Sequence, residues 1–496
     1  MSCHFSVSIT FFKFVIQIGY TFHYEMLYKE YNSLYPTKEK PYELSKANWK
    51  FLCINNNDEK ELKFLPSISD IDSFREICEN FLTKWFELDF NKLMDAMNEI
   101  QNVSKLVKFE DFYKEIINSE VVETLIQIVD LQEADDNLIS FIESGQDLLT
   151  CSFDLLYNFT CYSDQIISDL IEYDFINIVI SNYPAYSINT KIKLIPILVN
   201  IYSNKTKTKQ FLNVQKLLTI FNFEIRTTKI DELLFNISIL ISNISRNVDK
   251  LPSESILYLY NIYIYIFGDE FIIPCIKYGS CGLFYFYFSN INYLADLDFV
   301  KHILIKMFDF EEPFSIYYTI QILKLCYLNL TNDKIIEIHN LIDFNKFHKY
   351  IDHTDNVYPS LTCFECVARR GSNYIYSLID CEIYQHIIKI YNEVDFEVKN
   401  SINNFFSITF EECNKQQAKV LMNLGVFCIF KESLLSISEK YLKHALCGIV
   451  NLLSMNFSIF DSELTDILCQ IKITNYKNQI IYEKLKLIYL DFNQIY

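Results

Sequence analysis

The sequence predicts an all-α solenoid, a stack of helical repeats, on three observations. First, an asparagine closes a short aliphatic run at a recurring distance: Leu155-Leu156-Tyr157-Asn158, Ile197-Leu198-Val199-Asn200, Leu240-Ile241-Ser242-Asn243, Cys326-Tyr327-Leu328-Asn329 and Ile449-Val450-Asn451. The gaps are 42, 43, 86 and 122 residues, or one, one, two and three steps of a common interval. A period in that range marks stacked helical repeats. Second, the chain is 50% hydrophobic with only 8 Gly and 9 Pro in 496 residues, too few turn-formers for a sandwich, barrel or many-stranded sheet. Third, five segments join an aliphatic run to a new amphipathic helix through Asp or Gly: Ile171 to Phe175, Leu294 to Phe299, Leu341 to Phe344, Leu378 to Cys381 and Met422 to Val426. Asp can cap a new helix and Gly permits a left-handed turn. Asp174 follows Asn158 by 16 residues and Asp343 follows Asn329 by 14, so the two landmarks run in phase.

In chain order, residues 1–69 hold Pro36, Pro41, Pro66 and the polar run Asn55 to Lys60, and read as an irregular leader. Phe5 to Phe22 is apolar, but Lys13 interrupts it and no basic segment precedes it. The expectation is a leader and not a membrane anchor. Residues 70–496 form the repeat domain. Its first helix opens at Ser73, with Phe74, Ile77, Cys78, Phe81, Leu82 and Trp85 on one buried stripe. The acidic stretch between Leu131 and Asp147 reads as an exposed loop. Further inner helices are expected near Phe286, Val367, Ile408 and Ile488. Pro184, Pro252, Pro313 and Pro359 are placed between helices, whereas Pro196 and Pro274 require a kink or a late helix start.

A net charge of −19, from 44 basic and 63 acidic residues, repels nucleic acid and anionic membrane and favours basic partners. The 15 Cys form no orderly framework and read as small core residues in a reducing compartment. Cys363-x-x-Cys366, with His348 and His353 upstream, is the one arrangement resembling a zinc half-site; both cysteines fall on an inner helix, so buried thiols are the expectation. No nucleophile elbow, His-Glu-x-x-His, phosphate loop or dinucleotide fingerprint occurs. No enzyme and no cofactor is expected. The aromatic run Leu283 to Phe288 reads as core, because no basic residue is interleaved with it.

Three-helix units with these landmarks resemble armadillo repeats, about nine to ten of them wound into a right-handed superhelix. Within that class the order of units resembles importin-α. Ile116 to Val122 is similar to its first-repeat segment. The unit after Asn243 replaces the Asp/Gly turn by Arg246 to Pro252, as the fourth importin-α repeat does, and Asn478 to Leu485 resembles the closing repeat. The resemblance implies an adaptor that holds a basic nuclear-localisation-type peptide in a concave groove. Its peptide-binding asparagines would be Asn158, Asn200 and Asn243, with Asn329 later. It also implies a protein of the cytoplasm and nucleus with importin-β as a partner, although the leader has no arginine-rich segment to dock there. Where the family places tryptophan one turn earlier, this chain has Asp154, Pro196 and Ile239. Asp154 is an added candidate, holding a basic side chain by charge. The later units match at Cys363 and Val367 and at Asn404 and Ile408. The alternative expectation is a protein–protein interaction scaffold not coupled to nuclear import.

Overall fold

The computed structural model describes residues 71–106, 110–134, 136–143, 147–203, 213–247, 251–268, 271–434, 439–457, 459, 462–471, 478–483 and 485. The leader, the Phe5–Phe22 segment and the helix expected near Ile488 lie outside them. Among the described residues there are helices and no strands, and no helix is long and apolar enough to cross a membrane. The described residues divide into two packed units, those within 71–120 together with 158–163, and those within 121–157 and 164–485.

In the first unit, the helices Ile71–Phe86 and Phe90–Leu106 pack together. The expected stripe is half right: Phe74, Ile77, Cys78 and Phe81 are buried, while Leu82 and Trp85 are half-exposed. Leu88, in the left-handed region at φ 54, reverses the chain between the two helices. Arg75 of the first helix grips Glu115 on the helix Glu110–Asn118 with two hydrogen bonds, of 3.1 and 2.9 Å.

The second unit is built on seven long helices, α1 (Ile188–Ser203), α2 (Asp231–Ser245), α3 (Ile273–Ser289), α4 (Pro313–Asn329), α5 (Thr354–Ala368), α6 (Phe396–Glu412) and α7 (Glu439–Ser454). They start 40 to 43 residues apart, and each packs on the next. Shorter helices precede each one, as Asp164–Glu172 and Phe175–Asn182 precede α1. Among the described residues two shorter α-helices precede α1, α5, α6 and α7, the three-helix plan expected of the repeat, and one precedes α2, α3 and α4. α2 shows why it must stack: from Asn236 to Ser245 every residue is buried, a pattern that only a helix covered on several sides can satisfy.

Hydrogen bonds repeat at the same interval as the helices. Asn236 donates to Ile192 O, Asn243 to Val199 O and Asn356 to Pro313 O. Gln417 donates to Ser372 O, and Arg370 donates to Tyr327 O and Leu330 O, at the end of α4. Helix carboxyl ends leave carbonyls without intrahelical partners, and at the end of α4 Arg370 from the following repeat satisfies two of them.

The junctions depart from the expected chemistry in detail. Asp174 and Gly425 sit in the left-handed region, at φ 59 and 87, so this aspartate does the work expected of glycine. At Asp380 that conformation moves to Glu382, φ 55. Asp296 and Asp343 do cap, accepting from Phe299 N and Asn345 N. Pro274 lies in the first turn of α3, the late start expected, and Pro196 lies inside α1. Pro359 is a correction: it lies inside α5 rather than between helices. So is the acidic stretch before Asp147, which forms the helix Asp136–Glu143 with Leu138 buried, because one apolar residue suffices to dock it.

Two stability consequences follow from this packing. A Cβ on Gly282 would meet Tyr263 Oη at 2.2 Å and the Ser242 Cα at 2.9 Å, and the latter is backbone that cannot step aside. Gly282→Ala is expected to cost about 1–3 kcal/mol, read as a lowered urea midpoint. His339 shares hydrogen bonds of 2.6 Å with Tyr327 Oη and 2.7 Å with Ser377 Oγ, and burial lowers its pKa from 6.5 to about 4. The unfolded chain takes up this proton near pH 6.5 and the folded chain only near pH 4, so stability is lost as pH falls through that window. Denaturant midpoints at pH 7.5 and 5.0 should converge in a folded His339→Gln variant. An undiminished difference would assign the pH dependence to other groups.

Candidate functional site

Helices α1, α3 and α4 leave a stripe partly accessible, with the 3–4 residue spacing of one helical face, while α2 is buried from Asn236 onward and exposes only its first turn, at Phe235. On α4 the stripe is Phe314, Tyr317, Lys324 and Leu328; on α3, Tyr278, Tyr285 and Phe288; on α1, Lys193 and Pro196, with Asn200 buried at its end. The asparagine position of α1 and α2 therefore continues onto Tyr285, Leu328, Arg369 and Glu411, at steps of 41 to 43 residues. The later-unit positions taken from the importin-α resemblance do not lie on this stripe. Cys363, Val367, Asn404 and Ile408 are buried, because α5 and α6 turn those positions toward their neighbours.

The candidate residues fall at different places. Asn200 and Asn243 are buried, 9% and 8% exposed, and Asn243 spends its amide on Val199 O at 3.1 Å. Asn158 is half-exposed in the helix Leu148–Tyr162. Asn329, the last residue of α4, is half-exposed and donates within its own helix to Leu325 O at 2.8 Å. Asp154 is paired with Lys193 of α1 at 3.0 Å. Asn451 stands on α7 and donates to Phe410 O, Glu411 O and Cys413 O, at 2.9, 3.1 and 3.0 Å, closing the end of α6.

The middle of the row is aromatic. Phe235 of α2, Tyr278 of α3 and Phe314 of α4 touch in sequence, with ring centroids 5.2 and 5.6 Å apart. Tyr318 continues the contact at 5.1 Å and reaches Tyr285 at 6.4 Å. Lys277 Nζ stands 5.5 Å over the Phe314 ring, and the Arg246 guanidinium stands 5.1 Å over Tyr285. Within the run expected to be core, Phe284, Phe286 and Tyr287 are buried, but Tyr285 and Phe288 are not. Its basic companion comes from the preceding repeat, a partnership no contiguous motif displays. The signal available in sequence is the spacing of 43 between Phe235 and Tyr278.

Toward the carboxyl end the face becomes charged. His444 Nδ1 lies 2.6 Å from Glu411 Oε2, and its Nε2 lies 3.1 Å from Arg369 Nη2. Burial and the neighbouring Arg369 lower the His444 pKa, so the neutral ring donates to Glu411 and accepts from Arg369. Burial would raise the Glu411 carboxyl, but the His444 hydrogen bond and nearby cations bring it below its usual value. Glu412 behaves oppositely: burial, then the like charge of Glu411, push it up to about 7. Cys447 sits in this network, but burial drives its thiol far above the reactive range.

Cys363 and Cys366 are buried with raised pKa values, Cys366 to about 11, and His348 Nε2 is 2.7 Å from Cys381 O. Among the described residues no group of His, Cys, Asp and Glu is placed to hold a metal.

No protein-family model matches the chain, and no curated protein matches it. Among solved structures, an engineered protein (Northeast Structural Genomics Consortium target OR497) is 12% identical, covering 80% of this chain and 99% of its own, with a TM-score of 0.57. A designed armadillo repeat protein, YIII(Dq)4CqI, is 15% identical over 66% of this chain and 99% of its own, with a TM-score of 0.29. Another, in complex with peptide (KR)4, is 13% identical over 59% of this chain and 100% of its own, with a TM-score of 0.31. The first of these likenesses shows the fold. The expected all-α, armadillo-type architecture is borne out.

The asparagines divide by what they hold. Asn451→Ala strips a donor from three carbonyls and should destabilise by about 1–3 kcal/mol. Asn329→Ala removes only a contact within its own helix and should stay within about 0.5 kcal/mol. Chemical denaturation of the two variants checks both, and equal effects would contradict the division.

Proposed function

We propose that the protein is a non-enzymatic, armadillo-type interaction scaffold that takes an extended peptide across the accessible face of its long helices. The continuous ring contact from Phe235 through Tyr278 to Phe314, left half-exposed across three repeats, carries this reading. Soluble chains rarely leave contiguous apolar surface on a row of helices without a partner. Stacked repeats also use such extended surfaces for binding. Selection of random peptides on the folded protein tests the proposal. Enriched peptides should lose about tenfold in affinity when Tyr278 and Phe314 are both changed to Ala. Failure to enrich any peptide, or indifference to those substitutions, would sink it.

A second, finer reading is that the peptide is basic and of nuclear-localisation type, with the protein acting as an import adaptor between cytoplasm and nucleus. One observation favours it: Glu412, pushed up to about 7 beside Glu411, is a carboxyl whose charged form an incoming lysine or arginine would stabilise. Against it, Asp154 is already neutralised by Lys193 and the middle of the face carries cations. A lysine-rich signal peptide should bind the wild type and weaken several-fold in Glu412→Gln. Equal binding to both would leave the scaffold without the import role, and a pull-down with importin-β addresses the remaining partner.

A further inference from the structure

We propose that the centre of this face is an anion-seeking subsite, built on Arg246, that takes a carboxylate side chain of an acidic peptide. The inference rests on the scaffold reading above and names the chemistry of its ligand. Arg246, just past the end of α2, is largely enclosed, and among the described residues it makes no ion pair with a carboxylate: its neighbours are Cys281, Tyr285 and Tyr318. Its Nη2 lies 3.6 Å from the Cys281 Sγ, a weak acceptor, and its Nε is buried without a partner. A guanidinium in low dielectric without an anion is costly, and the Tyr285 ring 5.1 Å away offsets only part of that cost.

An arriving carboxylate supplies the missing charge and acceptor together. The position at the end of α2 explains why a cation is tolerated there when empty, since helix carboxyl ends favour positive charge. Lys277 provides a second cation at the other end of the same connected rings, over Tyr278 and Phe314. Glu312, the carboxylate whose charge acts on Tyr278, is committed to Ser315, accepting from its N at 2.7 Å and its Oγ at 2.6 Å. The aromatic rings between the two cations suit an apolar or aromatic residue between two acidic ones. This polarity is opposite to the −19 of the whole chain. Attraction must therefore act locally, within about 8 Å at physiological ionic strength.

The test is an anisotropy titration, at physiological salt, of a labelled peptide with two glutamates flanking aromatic residues. Its glutamine isostere and a lysine-rich peptide run beside it. The acidic peptide should bind about tenfold tighter than the isostere, a difference of about 1.4 kcal/mol. That preference should vanish in Arg246→Gln and partly return in Arg246→Lys, with thermal midpoints confirming that each variant is folded. Equal binding of acidic and amide peptides to the wild type overturns the inference without any variant, and so does a preference that survives in folded Arg246→Gln. If lysine-rich or selected peptides bind the face while the acidic one does not, the subsite falls and the scaffold stands.

Discussion

The structure depends on one constraint: no repeat can satisfy its own long helix. α2 is buried from Asn236 to Ser245, and its apolar sides are covered by α1 and α3. The polar ends are handed on in the same way. Asn243 reaches back to Val199 O, Arg370 to Tyr327 O and Leu330 O, and Asn451 to the last carbonyls of α6. The interval of about forty residues is therefore the distance over which one helix completes the hydrogen bonding of another. A chain of this length with few glycines remains foldable because each unit needs only its neighbours.

The same constraint shapes the accessible face. Residues one repeat apart stand side by side, so a functional grouping is assembled from single residues on successive helices. Arg246 meets Tyr285, Phe235 meets Tyr278, and Arg369, Glu411 and His444 form one network from three repeats. Along the row the chemistry changes from an ion pair at Asp154 and Lys193, through rings with cations, to a neutral histidine held between Glu411 and Arg369. Such a gradient suits an extended ligand read segment by segment better than a compact one.

Much of the fold was legible because periodicity survives in a single sequence. The inner helices expected near Phe286, Val367 and Ile408 lie in α3, α5 and α6. The turn at Gly425 has the left-handed backbone glycine permits. The errors were local. Pro359 inside α5 shows tertiary packing overriding a helix breaker near the amino end, and Glu382 took a turn assigned to Asp380. The site was less legible. A rotation of a fraction of a turn separates buried Val367 from half-exposed Arg369, and interval alone does not resolve it.

By itself, the sequence determined that this chain is a stack of helices, the length of its repeat and the approximate place of each inner helix. Those properties follow from the spacing of apolar residues, which is local information. Only the tertiary structure decided which side chains the stack leaves accessible. It showed Asn243 and Asn451 holding the stack together, and it placed Arg246 over the ring of Tyr285, one repeat on. These facts depend on rotation and contact between helices some forty residues apart, and no run of consecutive residues encodes them.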